Sequence, residues 1–220
     1  QYNSEVGMSA DAYDAEPKTT TPRTTLSYLW WPTLFGGAIA ALSVARGAFD
    51  PIFAFNIVYV ALAAAIFLFE RVVPHEDAWL ESDGQIGADV GHTLLTKSFV
   101  QLLIAALTLM GLAQAVGDEG APWWPSEWPF AAQVALGLIA TEFGLYWAHR
   151  LAHEWPPFWR FHAVHHSVER LWVVNTGRFH FIDTFVSLAF AIPIIIAIGA
   201  PGDVVQWGAA LHAFIGLLTH

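Results

Sequence analysis

Long stretches without a charged side chain constrain this chain more than any other feature. Arg23 and Arg46 are separated by 22 uncharged residues, Asp50 and Glu70 by 19, Lys97 and Asp118 by 20, and Asp183 and Asp203 by 19. About 20 predominantly apolar residues carry a helix across a hydrocarbon core of ~30 Å, so each of these runs can span a bilayer. Two more runs carry one polar residue each. One passes from Glu127 through Glu142 to His149, and the other covers residues 204–219 and contains His212. Hydrophobic residues make up 55% of the chain and charged residues 13%, about half the charged share of a soluble domain. The expected fold class is therefore all-α, a polytopic transmembrane helical bundle. Ionisable groups are costly inside a bilayer, so Glu142 and His212 are expected to make contacts within the bundle.

The segments between these runs organise the chain. Residues 1–25 are polar, contain Pro17 and Pro22 and show no apolar periodicity, which predicts a flexible tail. No cleavable signal peptide is visible, so the first span is expected to act as its own insertion signal. Helices are expected at about 27–47 and from Pro51 to about Glu70, with a tight turn at Asp50 and Pro51. The connector from Arg71 to Lys97 is too polar to span and is expected to lie along the surface, before a third span over 98–116. Pro122, Trp123, Trp124, Pro125, Trp128 and Pro129 follow, the composition of an interfacial loop. A fourth span runs toward His149. Beyond a polar, histidine-rich stretch ending at Asp183, two apolar segments flank a turn at Ala200, Pro201 and Gly202. If every segment crosses and the N-terminal tail is cytoplasmic, eight of the nine Lys and Arg residues fall on the cytoplasmic side and only Arg46 does not. The chain starts at Gln1 and stops at His220 as an apolar helix finishes, so it reads as part of a longer protein.

Five of the ten histidines fall within residues 149–166, and their spacing matters more than their number. In HRLAH, His149 and His153 stand at i and i+4, on one face of a helix. In HAVHH, His162, His165 and His166 stand at i, i+3 and i+4. Trp155 and the pair Pro156-Pro157 lie between, and prolines end one helix and can open the next, folding the two histidine faces toward each other. Glu142 and Tyr146 share the stripe of His149 and His153, and Glu169 lies near that of His162 and His166. His75, His92 and His212 read as ordinary structural histidines. Cysteine is absent, so a metal here must be held by imidazole and carboxylate, a donor set that suits Zn, Fe, Cu or Ni. No HExxH zinc-protease motif is present. A histidine-rich membrane metal transporter or metal-binding module is the main rival to an enzyme; it would place its ligands near mid-membrane rather than at a span end. A haem-b electron carrier is a second rival.

HRLAH, FHAVHHS and VVNTGRFHFID together resemble the fatty acid hydroxylase and sterol desaturase superfamily, specifically over Glu142 to Asp183 and loosely at Arg71, Pro74, Asp83, Gly84 and Asp89. The resemblance implies a membrane-embedded domain over 26–220 with a non-haem di-iron centre. Such a centre uses O2 and electrons from an external donor, cytochrome b5-like or ferredoxin-like, to hydroxylate or desaturate a fatty acyl or sterol-like lipid drawn from the bilayer. On this reading His149, His153, His162, His165, His166 and His220 are metal ligands, and His180, Glu142 and Asp183 are ligands or supports behind them. Where the superfamily has R-x-H-P-x-E, this chain has Arg178-Phe179-His180-Phe181-Ile182-Asp183, without the proline. His220 stands where the superfamily has an isolated histidine before a last HxxHH box. That box is not in these 220 residues, so this portion alone is expected to be inactive.

Overall fold

The computed structural model describes residues 27–74, 76–109 and 120–219. The expected tail, His75, the end of the third span and His220 lie outside the described residues. Among the described residues seven α-helices carry the fold: α1 (Ser27–Arg46), α2 (Pro51–Val72), α3 (Ile86–Leu109), α4 (Phe130–Glu154), α5 (Pro156–His162), α6 (Phe181–Ile198) and α7 (Gly202–Leu218). Short 3-10 turns lie at Asp77–Leu80, His165–Ser167 and Val173–Asn175, and there is no strand among the described residues. Helices α1, α2, α4 and α6 are long and apolar enough to cross a membrane. The protein is a multi-pass membrane protein, and large side chains such as Val44, Val72 and Leu102 stand exposed on the outside of the bundle, where lipid replaces water as the solvent.

Local chemistry sets the helix ends. The Asp50 carboxylate accepts from the backbone N–H of Ile52 (2.9 Å) and Phe53 (3.4 Å), and Pro51 supplies a preset φ at the first position of α2. Helix α6 stops at Gly199, whose φ of 67° is left-handed. A side chain there would also collide with Ala121, whose N–H donates to the Gly199 carbonyl at 2.9 Å. This contact ties the tryptophan loop to the α6–α7 turn, and the Trp123 indole reinforces it by donating to the Ile198 carbonyl at 3.1 Å.

Helix α4 is the axis of the bundle, packed against α5, α6 and α7. Lipid tails are as apolar as leucine, so close approach rather than water exclusion drives helix association. Small residues on α4 permit it: a Cβ at Gly144 would lie 2.8 Å from the Ala191 backbone of α6, and one at Gly137 would lie 2.9 Å from Val204 of α7. A second packed face joins Ala38 and Leu42 of α1, Ala54, Val58, Leu62 and Ile66 of α2, and Ala210, Phe214 and Leu217 of α7. The α2 residues recur every fourth position, as one buried helix stripe requires.

Part of the connector is helical. Helix α3 already begins at Ile86, because its early polar residues face residues 172–179 instead of headgroups. Asp89, fully buried, bonds Arg178 and Trp172; the Thr96 hydroxyl donates to the Phe179 carbonyl at 2.7 Å; and Thr93 touches Gly177. Partners some 80 residues away make this stretch helical.

Candidate metal centre

The histidine site is built at the end of α4. Residues preceding proline are driven out of the helical region, and Trp155, ahead of Pro156, is extended (φ −110°, ψ 110°). The chain turns there and α5 starts on Pro156 and Pro157. His149 and His153 stand on the last turns of α4, His162 closes α5, and His165 and His166 sit in the 3-10 turn that follows.

Four of these rings converge through Nε2. The separations are 3.1 Å from His149 to His153, 3.3 Å from His153 to His162, and 3.0 Å from His162 to His166, and the four donor atoms all lie within 4.8 Å of one another. An ion with metal–nitrogen bonds of ~2.1 Å sets adjacent donors roughly 3.0–3.4 Å apart and none beyond ~4.2 Å, so the three neighbouring pairs already have ligand spacing and the set as a whole would have to close slightly around one ion. His162 is 1% exposed, and its Nδ1 meets the Asp183 carboxylate at 3.0 Å. A carboxylate on Nδ1 favours the tautomer that leaves the Nε2 lone pair free for a metal. Burial first, then the charges His162 and His153 can carry, hold the His166 imidazole below its ordinary pKa, against the opposing pull of Asp183. A lowered pKa keeps the ring neutral at pH 7, the form that binds metal. The Trp159 ring stacks on His166 (centroids 5.7 Å apart) and walls the set on one side.

The other candidates stand elsewhere. His165 lies beside the set, its centroid 5.8 Å from that of His162, with its ring flat against Phe179 at 4.3 Å and 12°. His180 accepts from Ile182 N–H at 3.2 Å as the cap of α6 and packs on Phe161. Asp183 backs His162 rather than joining the four donors. Glu142 is away from the set, bonded to His212 of α7 at 2.5 Å, the contact within the bundle that the two isolated polar residues implied.

A tether that the histidine pattern does not reveal holds the site against the connector. Arg178 donates to Asp89 (2.8 Å), Gln85 (2.7 Å) and the Ser167 hydroxyl (3.0 Å), the last within the histidine turn itself. Arg170 donates to the Trp79 carbonyl (2.8 Å), pairs with Asp83 (3.3 Å) and lies over Trp172. The connector holds five acids, so charge alone did not single out these two; the one signal was the loose family resemblance at Asp83 and Asp89.

The family model for fatty acid hydroxylases matches residues 134–220, from α4 to the end of the chain. Over these residues the chain is similar to that family. The matched segment contains all four converging histidines, Asp183 and both arginines of the tether, while the acids those arginines bind lie before it. The chain is 47% identical over 200 residues to an ornithine lipid hydroxylase of Rhizobium tropici, covering 89% of this chain and 60% of that protein. It is 35% identical over 75 residues to an alkylglycerol monooxygenase of Xenopus tropicalis, covering 34% of this chain and 16% of that protein. The match therefore spans about three fifths of the first relative's length and about one sixth of the second's. No solved structure matches it.

Proposed function

We propose that the protein is a membrane-bound non-haem di-iron oxygenase that hydroxylates a lipid. The single observation that carries this reading is the convergence of four imidazole Nε2 atoms, one backed by a buried carboxylate, at the end of a membrane-spanning helix. Hydroxylation is favoured over desaturation because the two named relatives are a hydroxylase and a monooxygenase, and an acyl lipid with an amino-acid headgroup is favoured because the more extensively matching relative is named for ornithine lipid.

One iron is assigned to His149, His153, His162 and His166, and a second to His165 and His220 with His180 in support. When bound, the irons supply the activation of O2, with electrons from a cytochrome b5-like or ferredoxin-like donor, needed to oxidise an unactivated C–H bond. The chain's own residues do the positioning. Asp183 holds His162 in its binding tautomer, the Arg178–Asp89 tether fixes the turn that presents His165 and His166, and the apolar faces of the bundle bring a lipid to the site while excluding water. The histidine end is assigned to the cytoplasm, because the cations at that end include Arg150, Arg160, Arg170 and Arg178, whereas Arg46 pairs with Asp203 at the other end.

The test is iron analysis of the full-length protein with turnover measured on an ornithine-type lipid. About two irons per chain are expected, and His165→Ala is expected to lose one iron and abolish turnover. Full turnover by His165→Ala overturns the assignment.

A further inference from the structure

The Glu142–His212 pair has no part in the converging histidines, yet it lies on their line. Positions 142, 146, 149 and 153 recur at helical spacing on one face of α4. Glu142 therefore sits directly beneath the histidines, seven residues and ~10 Å below His149 along the axis. It stands at the middle of a helix long enough to cross the membrane, and α7 brings His212 to it. The two side chains remain 46% and 47% exposed although bonded to each other. An acid–imidazole pair facing hydrocarbon is expensive unless a polar group covers it, so half-exposure at this depth points to an occupant. A lipid whose C–H bond reaches the histidines lies along this same stripe.

The chemistry left over by the pair identifies that occupant. With His212 Nδ1 donating to one oxygen of the Glu142 carboxylate, the second oxygen is left as an acceptor. The position thus favours a hydrogen-bond donor, and the donor suited to the inside of an acyl lipid is an amide N–H.

We propose that Glu142 and His212 form a specificity-determining station that binds the amide N–H of an N-acyl lipid roughly 10 Å from the carbon presented to the metal site. The station fixes how far the lipid rises toward the histidines and so which carbon is oxidised. This deepens the lipid-hydroxylase reading and rests on it for the oxidation step, but not for binding.

The experiment uses the whole protein in nanodiscs with two probes, an N-acyl amino-acid lipid and its ester isostere in which oxygen replaces the N–H. Binding and turnover are both measured for wild type and for the double variant Glu142→Leu/His212→Leu, which removes both partners and leaves no buried polar group alone. Wild type is expected to bind the amide about 10- to 100-fold more tightly than the ester, the range for a hydrogen bond to a charged group. The double variant is expected to keep its iron and its affinity for the ester, to lose the preference for the amide, and to spread oxidation over neighbouring carbons. Equal binding of the two lipids by wild type overturns the proposal, as does a preference that survives in the variant. Loss of iron in the variant, or an equal fall in affinity for both lipids, also overturns it, by assigning the pair to the metal site or to helix packing. A wild type that prefers the amide but oxidises neither lipid leaves the station standing and removes the hydroxylase reading.

Discussion

Asp183 illustrates how much one side chain decides at this site. Nearly buried and in the first turn of α6, it meets Nδ1 of the most buried histidine at 3.0 Å. Asp183→Asn preserves shape and a hydrogen bond but removes the charge and allows the other tautomer. Iron affinity, read by chelator competition, is expected to fall about 10- to 100-fold while helical content is unchanged. An unchanged affinity would show that the other three imidazoles hold the ion without it. At this scale helical spacing was informative about which histidines come together and said little about what stands behind them. The i, i+4 spacing put His149 and His153 together because it follows from the pitch of one helix. Asp183 was legible only as an acid near a family motif, since its partner stands 21 residues away across a turn.

Among elements, the tether between the connector and the histidine turn is the most consequential. Asp89 and Arg178 are both buried, and removing one partner of such a pair strands the other charge at a cost of about 3–5 kcal/mol. Arg178→Ala is therefore expected to lower the melting temperature in detergent and to release iron, because the same guanidinium holds Ser167 beside His166. A variant that melts lower yet retains all its iron would limit the tether to stability. The same pairing explains how α3 can begin at Ile86, twelve residues before the expected third span: Asp89 is buried there against a guanidinium from elsewhere in the chain.

For the whole molecule, the alternation of helices separates two ends. Arg46, Asp50, the tryptophan loop and the α6–α7 turn lie at one, and the histidines and their tether at the other. The chain has no cysteine, so single cysteines report sidedness directly. In intact cells, an impermeant thiol reagent is expected to label Glu127→Cys in the tryptophan loop and to reach Glu169→Cys only after permeabilisation. Labelling of both from one side would overturn the crossing pattern. Charge spacing and apolar run length were enough to foresee an all-helical membrane bundle and the paired histidine helices, because span length and helical periodicity are local properties that a sequence states outright. The choice of which four rings converge, the turning of His165 onto Phe179, the backing of His162 and the pairing of Glu142 with His212 were decided by the tertiary structure. Each depends on where α4, α6 and α7 approach one another, and that follows from the close contact of Gly137 and Gly144 with their neighbours rather than from any pattern along the chain.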